Sequence, residues 1–197
     1  MKNQVESVGF VRGCFIFASV LSMILMMSSD VNAFLTGNVN VFLGGKTLDD
    51  SWEPAEQQAE IGLQVDFRPR SWPINFVIDF LGGYGEGTLL GIECKSTTSE
   101  VNIGVRKIWE QFVYVRPFIG GGVSFIHGEF TGVPFGIEIT DDDDGVGGWL
   151  GGGVYWTLAE HFNIGLEAKG SIAKLTLFGG DVNGGGGHFG MLIGGHW

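Results

Sequence analysis

The sequence has few basic residues and little cysteine, and each shortage excludes a class of protein. Only 11 residues are Lys or Arg, against 22 Asp or Glu, so the basic surface that nucleic acid requires is missing. Cysteine occurs twice, at Cys14 and Cys94, and the processing predicted below would leave Cys94 alone. We therefore expect no nucleic-acid partner and no internal disulfide.

Long apolar segments are also scarce, and the one that exists lies at the N-terminus. Lys2 and Arg12 come before the apolar run Cys14–Met27, and Val31 and Ala33 stand at the −3 and −1 positions of a predicted cleavage site. The run is shorter than the roughly 20 residues of a spanning helix, which disfavours an uncleaved anchor. The sequence therefore predicts a cleavable signal peptide over residues 1–33 and one domain over residues 34–197.

Beyond residue 33 no run of 18 apolar residues occurs, which excludes a transmembrane helix there. The composition nevertheless favours folded sheet over disorder, with 35 Gly, 16 Phe, 6 Trp and a mean hydropathy of +0.23. Backbone polar groups in a bilayer can also be satisfied in a closed β-barrel. A membrane barrel is therefore the structure to test against the pattern of residues.

Apolar and polar residues alternate with period two, as in half-buried strands. Every second residue from Ala59 to Phe67 is apolar, and Glu60 and Asp66 lie among the intervening positions. Eight such segments occur, at residues 35–46, 59–68, 74–81, 100–106, 113–124, 146–156, 162–169 and 188–197. Short connections at 69–73, 110–111 and 159–161 alternate with long ones near 49–56, 85–97, 127–144 and 174–184. This predicts an all-β fold: an eight-stranded antiparallel up-and-down transmembrane β-barrel with both mature termini periplasmic.

The tryptophans favour a membrane barrel over a soluble one. Those at or beside the predicted periplasmic ends are Trp72, Trp109, Trp156 and Trp197, which we interpret as an interfacial girdle. A soluble lipocalin-type barrel also alternates, but its outer face would carry many Lys and Glu. Here the polar face is mostly Gly, Asn and Ser, as expected for a narrow barrel interior.

Charges of both signs occur on that polar face. We predict an interior ion-pair network formed by Glu60, Asp79, Glu100, Arg106, Arg116, Glu167 and Lys169, centred on Arg106, Arg116, Glu100 and Glu167. Enclosed charges need partners, and side chains just fill an eight-stranded barrel, so we interpret the network as a plug. A gate whose ion pairs exchange to open a narrow path is the alternative.

Catalytic and metal-binding motifs are few. None of the four histidines belongs to the His-x-Ser pair that resembles a lipid A deacylase, and their spacing does not match metal ligands. The acidic run Asp141–Asp144 departs from EF-hand spacing and is interpreted as a solvated acidic loop. We therefore expect no catalytic residue, no metal and no cofactor.

The later strands resemble a known family. VRPFIGGGVSF (Val115–Phe125), the glycine-rich stretch Gly148–Ser171 and the closing FGMLIGGHW are similar to the small outer-membrane β-barrel family, which includes OmpA-like and opacity-type proteins. The resemblance implies the outer membrane of a Gram-negative-type bacterium, with outer-membrane lipid and lipopolysaccharide around the barrel. It also implies a C-terminal signal for the barrel-assembly machinery at Phe189, Met191, Ile193 and Trp197, where Trp stands in place of the usual terminal Phe.

These observations predict a non-enzymatic structural or surface-interaction protein whose extracellular loops form the contact surface. A narrow porin-like channel for small solutes is the alternative, and a lipid A-modifying enzyme is a further one. The sequence does not identify an extracellular partner.

Overall fold

The computed structural model describes residues 34–110, 114–158 and 161–197, and over these ranges the chain consists mainly of β-strands. The strands are β1 (Leu35–Thr47), β2 (Gln57–Pro69), β3 (Asn75–Leu89), β4 (Ile92–Ile108), β5 (Val115–Val133), β6 (Ile139–Leu158), β7 (Phe162–Leu177), β8 (Gly180–Asn183) and β9 (Gly187–His196). Short 3₁₀ helices lie at Asp50–Trp52 and Pro134–Gly136. The predicted signal peptide and the predicted turn and strand residues Gln111, Val113 and Ala159 lie outside the described residues.

Within the described ranges, eight strands close into a ring. Each strand from β1 to β7 pairs with the next along the chain, and β9 pairs antiparallel with both β7 and β1. The four residues of β8 pair with the end of β7 in a short hairpin. The predicted antiparallel up-and-down barrel is therefore confirmed, and ring closure leaves no exposed strand edge in the wall. None of the helices in the described ranges is long and apolar enough to cross a membrane.

The two faces of the wall differ because successive side chains of a strand point to opposite sides. On β6, Val146 and Leu150 point outward and are 66% and 65% exposed, whereas Trp149 and Tyr155 point inward and are buried. Apolar side chains continue this outer band around the barrel, among them Phe76, Phe80, Ile103, Val105, Ile119, Val123, Leu166, Ile172, Phe189 and Met191. From Val146 to Trp156 the strand rises about 33 Å. At a tilt of about 40° the band is about 25 Å tall, which matches the apolar band of outer-membrane barrels.

The prediction of long loops is wrong for the segments 85–97, 127–144 and 174–184. Strand β3 continues to Leu89, and the chain turns back at Leu90 and Gly91. Strand β5 continues to Val133, and β6 already begins at Ile139. The alternation persists beyond the apolar band, but most outward positions there are filled by charged or polar residues such as Glu86, Thr88, Lys95 and Asp142. The apolar signal that marks a strand therefore fades, although the backbone pairing goes on. Residues 49–56 do form a connection, which contains the first 3₁₀ helix.

Glycine occurs where large interior side chains need room. At Gly153 a Cβ atom would collide with the carbonyl oxygen of Leu166 and the ring of Phe118. Gly44 and Gly190 face each other across β1 and β9, and a Cβ atom at either would meet the ring of Phe42. Small residues in the wall thus make space for aromatic rings inside a narrow barrel.

Candidate functional site

The middle of the barrel is occupied by Arg106, whose side chain is completely buried. Its guanidinium donates to the hydroxyl of Tyr155 at 2.7 Å and to Glu167 Oε1 at 3.2 Å, and it lies 3.4 Å from Asp66 Oδ2. It also stacks over the ring of Phe118, at 4.6 Å from the centroid. These partners come from β2, β5, β6 and β7, so one side chain links most of the wall across the interior.

Lys169 extends the same cluster toward the mouth of the barrel, which is the end where the β1–β2, β3–β4, β5–β6 and β7–β9 connections lie. Its ammonium lies 2.5 Å from Asp79 Oδ2 and 3.9 Å from Glu167 Oε1, and Arg106 lies 3.8 Å from the same Asp79 oxygen. The ammonium also sits 5.0 Å from the ring centroid of Trp149. Arg106 and Lys169 thus each contact both Asp79 and Glu167, and such pairing offsets the cost of burying the charges.

A second cluster lies nearer the mouth. Lys46 Nζ contacts Glu100 Oε1 at 2.5 Å and donates to the carbonyl oxygen of Gly184 at 3.0 Å. His188 lies between Glu60, at 2.9 Å from Nδ1, and Glu100, at 3.5 Å from Nε2. Glu100 therefore belongs to the Lys46–His188 cluster and not to the Arg106 cluster.

Ser171 completes an arrangement that sequence reasoning missed. Its Oγ lies 2.9 Å from His188 Nε2, and His188 Nδ1 lies 2.9 Å from Glu60 Oε2, which are the spacings of a serine–histidine–acid triad. However, the Ser171 hydroxyl also donates to Glu100 Oε1 at 3.1 Å. A carboxylate beside the nucleophile competes for its proton and opposes the negative charge of an acyl-transfer intermediate. The geometry thus describes a buried polar cluster whose members come from β2, β4, β7 and β9 and form no local motif.

Arg116 lies nearer the opposite end and forms no ion pair among the described residues. Its Nη2 donates to Asn38 Oδ1 at 2.8 Å and to Asn163 Oδ1 at 3.0 Å, and its Nη1 lies 3.3 Å from His196 Nδ1. These described partners are neutral amides and an imidazole, so Arg116 contributes hydrogen bonds here. Asn38 also donates to Asp66 Oδ1 at 2.7 Å, so it joins Arg116 to the Arg106 cluster. The predicted network around Arg106, Arg116, Glu100 and Glu167 is therefore not a single set of ion pairs: Glu100 pairs within the Lys46 cluster, and Arg116 is connected through hydrogen bonds.

An apolar cap closes the mouth above the Lys46 cluster. It consists of Leu48, Trp52, Leu175 and Leu177, with Phe130 and Val182 packed against it. Trp52 is 1% exposed and its indole N–H donates to the carbonyl oxygen of Asn183 at 2.8 Å. The connection between β1 and β2 therefore folds into the mouth, with Trp52 as the main side chain. The sequence held one signal of this, a tryptophan within an otherwise acidic connection.

The acidic run is part of β6, so its interpretation as a solvated loop is wrong. Asp141 Oδ2 accepts a hydrogen bond from the backbone N–H of Phe178 at 2.5 Å, and Asp143 Oδ2 accepts one from Thr176 at 2.7 Å. The β6–β7 ladder runs only as far as the Gly147–Ala173 pair. Carboxylates of these two inward residues thus replace backbone acceptors where the strands separate. Asp142 and Asp144 point outward and are exposed.

The tryptophans of the predicted girdle lie at the end of the barrel opposite the cap. Trp72 and Trp109 lie in or beside the connections after β2 and β4, and are 49% and 39% exposed. Trp156 lies near the end of β6, and Trp197 exchanges backbone hydrogen bonds with Gly37 at the start of β1. The predicted assembly-signal residues Phe189, Met191 and Ile193 are on the outer face of β9. Their recognition by the assembly machinery and the interfacial role of the tryptophans stay predictions.

Cys94 lies in β4 and is buried. Among residues 34–110, 114–158 and 161–197, no group of three His, Cys, Asp or Glu side chains is placed to hold a metal ion.

No protein-family model and no curated protein sequence matches the chain. Solved structures do match it. Ail, the attachment invasion locus protein of Yersinia pestis, in complex with the heparin analogue sucrose octasulfate, matches with a TM-score of 0.59 at 14% identity, over 83% of this chain and 99% of that one. Neisserial surface protein A matches with a TM-score of 0.48 at 12% identity, over 82% and 94% of the two chains. The outer membrane protein OprG from Pseudomonas aeruginosa matches with 0.48 at 13% identity, over 82% and 93%. The likeness to Ail is one of fold: the small outer-membrane β-barrel.

Proposed function

We propose, from the premise that this chain folds as a small outer-membrane β-barrel, that it is an integral outer-membrane protein of a Gram-negative-type bacterium with a structural or surface-interaction role. Its interior is a plug, its termini after processing are periplasmic, and its long hairpins project outside the cell as the contact surface. We also propose that it has no enzymatic activity. Outer-membrane lipid and lipopolysaccharide surround it, and the barrel-assembly machinery inserts it.

One observation carries the proposal: the outer face is apolar over a band about 25 Å tall, while the inner face is polar and filled. A water-soluble barrel would expose Leu150 and Val146 to water, at 65% and 66% of their surface. A bilayer removes this cost because these side chains meet lipid tails. The band has the height that a bilayer requires.

The filled interior supports a plug over the channel alternative. Arg106 and Lys169 span the middle, and the Trp52 cap closes the mouth with apolar contacts. A solute would have to break ion pairs of the middle cluster and displace the cap in the same passage. Planar-bilayer recording of the purified protein tests this directly, and we expect no steady conductance.

The arrangement around Ser171 supports the proposal of no enzymatic activity. Ser171, His188 and Glu60 have triad-like spacings, but Glu100 holds the hydroxyl and all of these side chains are buried. A substrate carbonyl would need room that the cap occupies. We therefore propose that these residues stabilise the interior.

The charge of the mouth argues against a ligand like the one held by Ail. That structure contains a heparin analogue, which is a polyanion. In this chain the mouth segments 48–57, 85–98, 127–144 and 174–184 carry thirteen Asp or Glu and two Lys, whereas the rest of residues 34–197 carries seven acidic and seven basic residues. The net charge of the predicted mature chain is thus concentrated at the mouth, which would repel sulfated polysaccharide.

Cysteine labelling on intact cells tests the proposed orientation. In a Cys94→Ser background, Phe135→Cys places a thiol on the β5–β6 hairpin, and Trp72→Cys places one at the opposite end. We expect a membrane-impermeant maleimide to label the first variant in intact cells and the second only after the outer membrane is permeabilised. Labelling of the Trp72→Cys variant alone in intact cells would reverse the orientation. Equal labelling of both in a soluble periplasmic extract would refute the membrane proposal.

A further inference from the structure

The hairpin tips share an unusual feature. Among the described residues, the non-glycine residues with positive φ are Leu90 (52°), Phe135 (54°) and Phe178 (51°). Each is followed by a glycine that also has positive φ, as in a tight turn with a left-handed backbone. We call Leu90, Phe135 and Phe178 the tip residues.

Large apolar side chains at these positions are unfavourable for stability in two ways. The left-handed conformation is strained for residues with a Cβ atom, and Asn, Asp or Gly normally occupies it. Leu90 and Phe135 are also 96% and 102% exposed, so their side chains gain little from burial, whereas Phe178 is 57% exposed and its ring contacts the ring of Phe130, with the centroids 6.4 Å apart. A sequence shaped by stability alone would place Asn there, and strained residues of this kind are associated with function.

The tips belong to one continuous part of the rim. Glu93 pairs with Val133 across β4 and β5, which places the Leu90 and Phe135 turns beside each other. The backbone of Phe178 is bonded to Asp141 of β6. Next to the tip residues, Leu89, Ile137 and Ile139 are 53%, 66% and 49% exposed. The result is an apolar surface beyond the predicted membrane band.

Carboxylates surround this apolar surface. The mouth segments hold thirteen acidic residues against two lysines. On the outer face, Glu129 and Asp142 stand directly opposite each other on β5 and β6, and like charges in that position destabilise a sheet. This charge, like the apolar tips, lowers the stability of the free protein, and a partner of opposite charge would relieve it.

We propose that the tip residues and the carboxylates around them form a docking surface for a cationic protein, which takes the tip side chains into an apolar pocket with a basic rim. This inference rests on the proposed function, since it requires the hairpins to be outside the cell. Anionic lipid and lipopolysaccharide do not fit, because the mouth would repel them. Apolar anchors at the centre and complementary charges at the rim are the usual division of roles in an interface.

The test uses the full chain in phosphatidylcholine nanodiscs, with empty nanodiscs as the blank. The probe is a fluorescent amphipathic peptide of lysine and leucine, and matched peptides of lysine and serine or of glutamate and leucine are the controls. The variants are Leu90→Asn, Phe135→Asn and Phe178→Asn combined, and Asp142→Asn alone. A control with Leu90→Met, Phe135→Tyr and Phe178→Tyr keeps large side chains at the tips.

We expect the lysine–leucine peptide to bind the wild type and the control, and both other peptides to bind at least about tenfold more weakly. The combined Asn variant should bind the lysine–leucine peptide about tenfold more weakly. A variant with Leu90→Asn and Phe135→Asn alone, which keeps the contact between Phe130 and Phe178, should have the same or a higher urea midpoint because Asn tolerates the turn. Asp142→Asn should weaken binding at low salt and little at high salt.

Several results would overturn the inference: unchanged binding by the combined Asn variant, a lower urea midpoint in the variant with Leu90→Asn and Phe135→Asn alone, or tip-dependent binding to phosphatidylcholine vesicles that equals binding to the peptide. The last result would assign the surface to lipid. If the chain inserts in the outer membrane and the tips make no difference, only this inference fails. If the chain does not insert, the proposed function fails and the inference fails with it.

Discussion

Replacing Arg106 with Gln tests whether the interior cluster holds the barrel together. The substitution keeps a polar side chain of moderate size but removes the positive charge from the middle of the barrel. Asp66, Asp79 and Glu167 lie 3.4, 3.8 and 3.2 Å from the guanidinium, and the arginine side chain is completely buried. Lys169 would remain as the nearest compensating cation, in contact with Asp79 and Glu167.

The expected loss follows from the charges left behind. Removing one partner of a buried ion pair costs about 3–5 kcal/mol, because the remaining charge stays desolvated. Asp66 has only Asn38 and Asn75 as further hydrogen-bond partners among the described side chains, so we expect Arg106→Gln to fall in the upper part of that range. Adding Glu167→Gln removes one uncompensated carboxylate and should recover about 1–2 kcal/mol.

The assay is urea unfolding of the protein refolded in lipid vesicles, followed by tryptophan fluorescence. Lys174→Gln serves as the exposed-pair control, since Lys174 pairs with Asp181 at 2.7 Å and the two side chains are 71% and 62% exposed. Exposed pairs contribute little, and this variant should change the free energy of unfolding by less than about 1 kcal/mol. A loss below about 1 kcal/mol for Arg106→Gln, or no recovery with Glu167→Gln, would refute the reasoning.

Other parts of the molecule give further expected outcomes. Leu150→Arg places a charge within the apolar band and should cost about 2–4 kcal/mol in the same unfolding assay, whereas Thr97→Arg, on the outer face beyond the band, should cost little. Trp52→Ala should destabilise the barrel by about 3–5 kcal/mol and raise its bilayer conductance above the wild-type level if the cap seals the mouth. The folded wild type should not react with a fluorophosphonate probe, because the Ser171 hydroxyl is bonded to Glu100 and the cap closes the mouth. Labelling of the wild type that disappears in Ser171→Ala would revive the enzyme alternative.

The barrel itself could be predicted from the sequence because its signal is repeated along every strand. Alternation such as that from Ala59 to Phe67 fixes which face is apolar, and the short turns fix the direction of each strand. The strand ends were predicted less well. Beyond Tyr84 the outward positions of β3 are Glu86 and Thr88, so the apolar pattern stops while the hydrogen-bonded ladder continues to Leu89.

The interior could be predicted only in part. Alternation places Arg106 and Glu167 on the inner face, but their contact joins residues 61 positions apart, and the pairing depends on the stagger of the closed wall. Trp52 was not predicted as a cap because it lies in a connection, where no periodicity indicates the direction of a side chain. The strain at Leu90 was likewise invisible, because a Leu-Gly pair does not by itself indicate a left-handed turn.

The most direct test of the outer-membrane barrel is the heat modifiability of the outer-membrane fraction, with cold and boiled samples run side by side in detergent gels. The account predicts a band in that fraction that migrates differently when unboiled and that has, after boiling, the mass of residues 34–197. A single band that does not shift on boiling and is recovered from the soluble periplasm would contradict it.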